Sequence, residues 1–210
     1  MREAMSGRKI VVLGVLCGIV LSLSAGLASA APVLDQESPA MDPWFAAGSS
    51  EWLFQQGVTV GIAGQLTRIE LYAYNAGTTP LYINAGAPWQ FDAFDFRATF
   101  EATGEGWVGV DVSAASLFFD AGDQFVIGVG AGMEPDVASD LRLEGSSVQG
   151  GGAYPGGELW SWNIDSSEPR LHWDGEADLA FRTYVELGDN PTPTVPAPAA
   201  VVLEIGRAHV

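Results

Sequence analysis

The sequence predicts an all-β fold, an antiparallel β-sandwich of jelly-roll type, with a signal helix ahead of it and a Pro-rich linker behind. Three observations predict it. Apolar and polar residues alternate with period two in run after run; no run beyond the N-terminus reads as a helix; and the gaps between runs are short and rich in Gly, Asn, Asp, Pro and Ser. Each strand of such a chain has one apolar face to bury, and two sheets packed face to face bury it. Nine candidate strands suit a jelly roll, although spacing alone leaves an immunoglobulin-like strand order open.

Residues 1–30 have the layout of a cleavable signal peptide. Arg2, Arg8 and Lys9 precede an almost wholly apolar run from Ile10 to Ala28, and Ala28-Ser29-Ala30 supplies the small residues of a cleavage site, so export and cleavage after Ala30 are expected. The same nineteen-residue run would barely span a bilayer as a permanent anchor. The switch to polar, Pro-containing sequence after Ala31 favours removal. Cys17 does not fit a lipid-modified cysteine, because Leu16 stands before it and it lies in the middle of the apolar run.

One β-sandwich domain is expected over residues 31–188. Its clearest strand is Ala93 to Glu101, where the pleat would send Phe94, Phe96, Ala98 and Phe100 to the core and Asp95, Arg97, Thr99 and Glu101 to water. The same patterning marks Trp52 to Val60, Gln65 to Asn75, Pro80 to Ile83, Trp107 to Ser113, Gln124 to Val129, Asp140 to Leu143, Leu159 to Ile164 and Leu179 to Leu187. Turn residues separate these runs, as in Asn75-Ala76-Gly77, Ala121-Gly122-Asp123 and the stretch from Gly150 to Gly157. Residues 189–198, with four prolines in the last eight, form an extended Pro/Thr-rich linker, and residues 199–210 begin an apolar tail that looks cut short.

Cys17 and Lys9 are the only cysteine and lysine, so the domain has neither and must be held by its core. Residues 31–203 carry five arginines against 24 carboxylates, a net charge of −19. That charge repels phosphates and excludes nucleic acid as a partner, while it draws in cations and keeps an exported domain soluble.

Catalytic constellations are scarce. His172 and His209 are the only histidines, and His209 lies in the tail, so residues 31–188 hold one histidine and no His-pair zinc site, and the domain has no thiol nucleophile. Gly128-Val129-Gly130-Ala131-Gly132 continues a strand, so it is no dinucleotide loop. Paired carboxylates for glycoside hydrolysis are available in number, but no spacing singles out a pair. The chain is not expected to be an enzyme; the alternative is a secreted polysaccharide hydrolase.

Two groups of residues are candidate binding sites. Trp160 and Trp162, two apart on one strand face and flanked in sequence by Tyr154 and Trp173, could stack on the apolar faces of sugar rings. The bland alternative is that Trp160, Trp162 and Ile164 line the core. Asp174, Glu176 and Asp178 alternate as oxygen ligands for Ca2+ would, but without the spacing of a recognised calcium loop, so a solvated turn competes.

The layout as a whole, signal peptide, β-sandwich, Pro/Thr linker and then Val195-Pro196-Ala197-Pro198 opening an apolar tail, resembles PEP-CTERM sorting-domain proteins of Gram-negative bacteria. The segments Tyr154 to Trp160 and Trp173 to Glu186 are similar to the closing strands of jelly-roll modules in such proteins. The resemblance implies surface or matrix delivery, cleavage by an exosortase-type machinery and transient membrane association through the tail. Ala197 stands where the family motif has glutamate, and the tail helix and basic cluster are missing. Residues 204–210 resemble the translation of a sequencing adapter, so the natural chain is expected to continue with more apolar residues and then arginines. The function expected is an exported cell-surface or extracellular-matrix protein acting as a non-catalytic binding or structural module, with polysaccharide as the candidate ligand.

Overall fold

The computed structural model describes residues 31–40, 42–45, 51–89, 94–132, 139–147, 154–163, 165–166, 168–172 and 177–188. The signal, the linker and tail, and Trp173, Asp174 and Glu176 lie outside the described residues. Among the described residues fourteen strands follow in chain order: β1 (Val33–Ser38), β2 (Asp42–Phe45), β3 (Trp52–Thr59), β4 (Gly64–Ala73), β5 (Gly77–Ala85), β6 (Phe96–Ala102), β7 (Gly106–Asp111), β8 (Phe118–Phe119), β9 (Gln124–Val129), β10 (Leu143–Ser147), β11 (Leu159–Asn163), β12 (Arg170–Leu171), β13 (Ala177–Leu179) and β14 (Phe181–Glu186).

They form two antiparallel sheets. The first runs β1-β14-β4-β10-β13, with β7 and β8 on β4 and β2 on β10; the second runs β12-β11-β3-β9-β5-β6. From β3 onward the chain changes sheet at every step except the β5–β6 and β11–β12 hairpins and the two short runs β7–β8 and β13–β14. That alternation, with β1 closing against β14, is a jelly-roll order with β11–β12 added at one edge.

The core fills the space between the sheets. Leu81, Ile83, Ile127, Val129 and Phe54 project from the second sheet toward Leu66, Ile69, Leu71, Leu143 and Phe181 of the first, all of them buried. Cross-strand register fixes which residues turn inward: Phe54 lies opposite Val129, Leu81 opposite Val129 and Ile83 opposite Ile127.

Gln124 to Val129 is a strand as expected, while other ends move for local reasons. The strand expected from Trp107 to Ser113 stops at Asp111, whose Oδ1 accepts from the Ser113 N–H (2.9 Å) and hydroxyl (2.6 Å), turning the chain into a 3₁₀ turn at Ser113–Ala115. The strand expected at Asp140 to Leu143 begins instead at Leu143, because the Asp140 carboxylate accepts from the Thr78 N–H at 2.8 Å. Phe100 is buried in the core and Phe96 packs against it, but Phe94 precedes β6 and stacks on Tyr82 (4.3 Å, 27°), a residue that alternation places on the outer face of the second sheet. The strands β1, β2, β8 and β12 carry too few alternating apolar residues to have been expected.

Shortening Ile127, fully buried at the centre of the second sheet, is expected to be expensive. Ile127→Ala should lower unfolding free energy by about 2–5 kcal/mol in urea denaturation, with the slope unchanged.

Candidate functional site

The outer face of the second sheet carries an open groove of about 620 Å³. Its floor is backbone. The Gly57 N–H in β3 donates to the Glu158 carbonyl at 2.9 Å, and the Thr59 hydroxyl donates to the Gly156 carbonyl, so the loop from Tyr154 to Glu158 lies flat on β3. A Cβ on Gly157 would stand 2.0 Å from the Gly57 carbonyl oxygen, so only glycine allows this approach.

The wall is aromatic. Trp160 in β11 meets Trp89 edge to face, with centroids 5.8 Å apart at 74°. Trp89 has φ 77°, an unfavoured conformation for a bulky residue, and its N–H donates to the Gln55 Oε1 of β3 at 2.8 Å. The Gly86 N–H donates to the Gln124 carbonyl at 2.7 Å, pinning the start of the same loop to β9. Glu158 and Gln124 are exposed at the groove, and among its described lining residues Glu158 is the one ionisable side chain.

The phase of β11 puts Trp160 there. Leu159 pairs with Gln56 and Ser161 with Phe54, both inward-facing positions of β3, whereas Trp160 and Trp162 pair with Gln55 and Leu53 on the outer face. Leu159 and Ser161 are buried, and both tryptophans are half-buried. The alternative that Trp160 and Trp162 line the core does not hold: a serine of that strand sits opposite Phe54, and the two indoles turn outward, while Ile164 lies outside the described residues. Trp162 lies beyond the groove.

Tyr154 and Asp178 occupy other places than those expected. Tyr154 is 6% exposed, packs edge to face on Phe181 at 5.0 Å, and sets its hydroxyl 3.0 Å from the Gln36 Oε1 and 3.1 Å from the Thr59 carbonyl. Burial pushes its phenol up to about 12. Asp178 is 1% exposed. Its Oδ1 accepts from the Gln56 Nε2 at 2.9 Å and its Oδ2 from the Tyr154 N–H, while the Gln56 Oε1 accepts from the Leu179 N–H at 2.9 Å. Both carboxylate oxygens are engaged inside the sandwich. Desolvation outweighs those bonds and pushes the carboxyl up to about 6. Tyr154 thus positions the groove floor from beneath instead of stacking on a ligand, and Asp178 anchors Tyr154.

His172 sets its Nδ1 3.2 Å from the Ser161 hydroxyl and its ring edge to face on Phe54 at 5.3 Å; burial depresses it to about 4, so it is neutral at pH 7. A second depression of about 460 Å³, over the first sheet, is lined by Arg68, Asp111 and Glu186 and has no aromatic ring among its described lining residues. Among the described residues no group of three or more His, Cys, Asp or Glu is placed to hold a metal ion. Sequence inspection missed Trp89, Gln124 and Glu158. The signal for them was the Gly156-Gly157 pair, which marks a close backbone approach, and a tryptophan one residue past Pro88 in a turn.

No family model matches the chain, and no curated protein matches it. Among solved structures it is similar to the cysteine protease and lectin-like domains of Cwp84, a surface layer associated protein of Clostridium difficile, with TM-score 0.48 and 10% identity over 67% of this chain and 33% of that one. It is also similar to clostridial cysteine protease Cwp84 after propeptide cleavage, with TM-score 0.45 and 10% identity over 76% of this chain and 38% of that one. The chain thus spans 33% of the first structure's length and 38% of the second's. Neither likeness bears on activity or ligand.

Two measurements follow from these contacts. Between pH 3.8 and about 6 the folded chain holds a proton on Asp178 that the unfolded chain has released, so this group's contribution to stability is full below pH 3.8 and is lost as pH rises through 6. His172 has the opposite sign: its contribution is present above pH 6.5 and is lost as pH falls through 4. On acidification from pH 6.5 to 4.5 the melting temperature of His172→Gln should rise relative to the parent, and that of Asp178→Asn should fall, each by at least about 2 °C in scanning calorimetry. Gly157→Ala should cost about 1–3 kcal/mol, because its obstacle is backbone. Gly104→Ala, with nothing within 4 Å of its Cβ, should change stability by less than about 0.5 kcal/mol.

Proposed function

We propose that this chain is an exported module of the cell surface or extracellular matrix that binds polysaccharide, without catalysis, in the groove on the outer face of its second sheet. The observation that carries this is the pairing of Trp160 with Trp89 above a glycine floor. Indole rings offer apolar faces to the C–H faces of sugars, a bare backbone lets a flat chain lie close, and Glu158 and Gln124 stand where sugar hydroxyls would need hydrogen-bond partners. Export is supported by the apolar run from Ile10 to Ala28 behind three basic residues, and surface sorting by the motif Val195 to Pro198.

Hydrolysis is the second reading. It requires two carboxylates at a set separation, and the described lining offers Glu158 alone. Release of reducing ends from any bound polysaccharide, lost in Glu158→Gln, would replace the binding reading with the hydrolytic one.

The direct test is affinity electrophoresis and calorimetry of the full chain against a panel of extracellular polysaccharides, with calcium present and then chelated. Trp160→Ala should weaken binding about tenfold or more, and Trp162→Ala, outside the groove, less than about threefold, with both variants folded. Equal affinity of the parent and Trp160→Ala would sink the groove as the binding site.

A further inference from the structure

Resting on the polysaccharide reading, we propose that the groove selects an uncharged glycan and rejects polyuronates and sulfated chains. Recognition of an acidic sugar needs a cation near the stacking platform. The domain owns five arginines and no lysine, and none of the five is among the described lining residues of the groove.

Arg68 and Arg182 lie on the first sheet. Arg68 pairs with Glu70 at 2.6 Å, and Arg182 pairs with Glu37 at 2.7 Å while its guanidinium sits 4.0 Å from the Trp107 ring centre. Arg142 immediately precedes β10, also of the first sheet. Arg97 is on β6 opposite Tyr82, so it shares the outer face with the groove but stands at the far edge of the sheet, separated from β11 by β3, β9 and β5, about 19 Å at 4.8 Å per strand. That is beyond the Debye length of about 8 Å at physiological salt. Arg170 is on β12, next to β11, but it pairs with Ser161, so its side chain leaves on the phase opposite to Trp160.

The internal segments outside the described residues (41, 46–50, 90–93, 133–138, 148–153, 164, 167 and 173–176) contain no Lys or Arg in their sequence, so they bring no cation to the groove either. Glu158 is the one charged side chain among the described lining residues, in a chain whose net charge is −17. A polyanion approaching this groove is repelled at long range and meets no counter-charge at contact. A neutral hydroxyl-rich chain loses nothing by this, because a carboxylate and an amide carbonyl both accept from sugar hydroxyls.

The test compares the full chain's binding to three soluble polymers, a neutral β-glucan, a polyuronate and a chitosan, at 50 and 500 mM NaCl. Glucan binding that changes less than about twofold with salt, falls at least about tenfold in Trp160→Ala, and keeps within about threefold in Trp162→Ala, outside the groove, supports the proposal, provided the polyuronate stays unbound. Polyuronate binding that weakens with salt overturns it and leaves the polysaccharide reading standing. Chitosan binding abolished by Glu158→Gln, with the glucan unbound, overturns it in favour of a cationic glycan. Binding to none of the three overturns both this proposal and the reading beneath it.

Discussion

The groove depends on one polar bridge through the core. Gln56 leaves β3 in the second sheet and reaches Asp178 and the Leu179 N–H of β13 in the first, and the other oxygen of Asp178 takes the Tyr154 N–H. Apolar packing between sheets is tolerant of small slides, whereas three hydrogen bonds to one amide and one carboxylate set a single registration. The bridge also decides where the chain goes after β10. Tyr154, held at its N–H by Asp178 and at its hydroxyl by the Gln36 and Thr59 oxygens, delivers Gly156 and Gly157 onto β3 and so forms the groove floor. A buried carboxylate is costly to desolvate, which is why its proton affinity rises. The return on that cost is position.

Position explains why the strand phase of β11 matters more than its composition. By hydrophobicity alone, Trp160 and Trp162 belong inside and Ser161 outside. The pairing with β3 reverses this, because Phe54 and Gln56 already occupy the inner face and leave room beside them for Ser161 and the His172 ring. The outer face gains two indoles, and Trp89, held by Gln55, comes over the sheet to meet one of them.

The architecture was legible in the sequence to the extent that a period of two survives in it. Gln124 to Val129 and Trp52 to Val60 match their strands because both are half or fully apolar runs bounded by turns. The edge strand β1, Val-Leu-Asp-Gln-Glu-Ser, shows no such run, and its place beside β14 comes from backbone pairing with a bulge. The site was half legible. That Trp160 and Trp162 share a face followed from the pleat; which face they share did not, since it depends on the partner strand. Tyr154 and Asp178 were noticed as polar or aromatic residues near the tryptophans, but their burial follows from the inter-sheet bridge with Gln56, a residue 122 positions away from Asp178. Long-range pairs of that kind leave no local pattern.

The two outer faces of the sandwich both carry tryptophan, and their chemistry separates them. On the first sheet the Trp107 ring lies under the Arg182 guanidinium, with Tyr72 at its edge 5.5 Å away, and Glu70 gathers Arg68, Arg182 and the Tyr184 hydroxyl into one network. That face is closed on itself: the cation that an acidic ligand would seek is already paired, and one side of the indole that a sugar would seek is already covered. On the second sheet an edge-to-face contact between Trp160 and Trp89 leaves indole surface that neither ring covers for the other. Glycines beneath it remove the side chains that would otherwise fill the space. The same shortage of bases that makes the first face self-contained leaves the groove without a counter-charge among its described lining residues, so the fold sets open aromatic surface where its charge is poorly able to hold an anion.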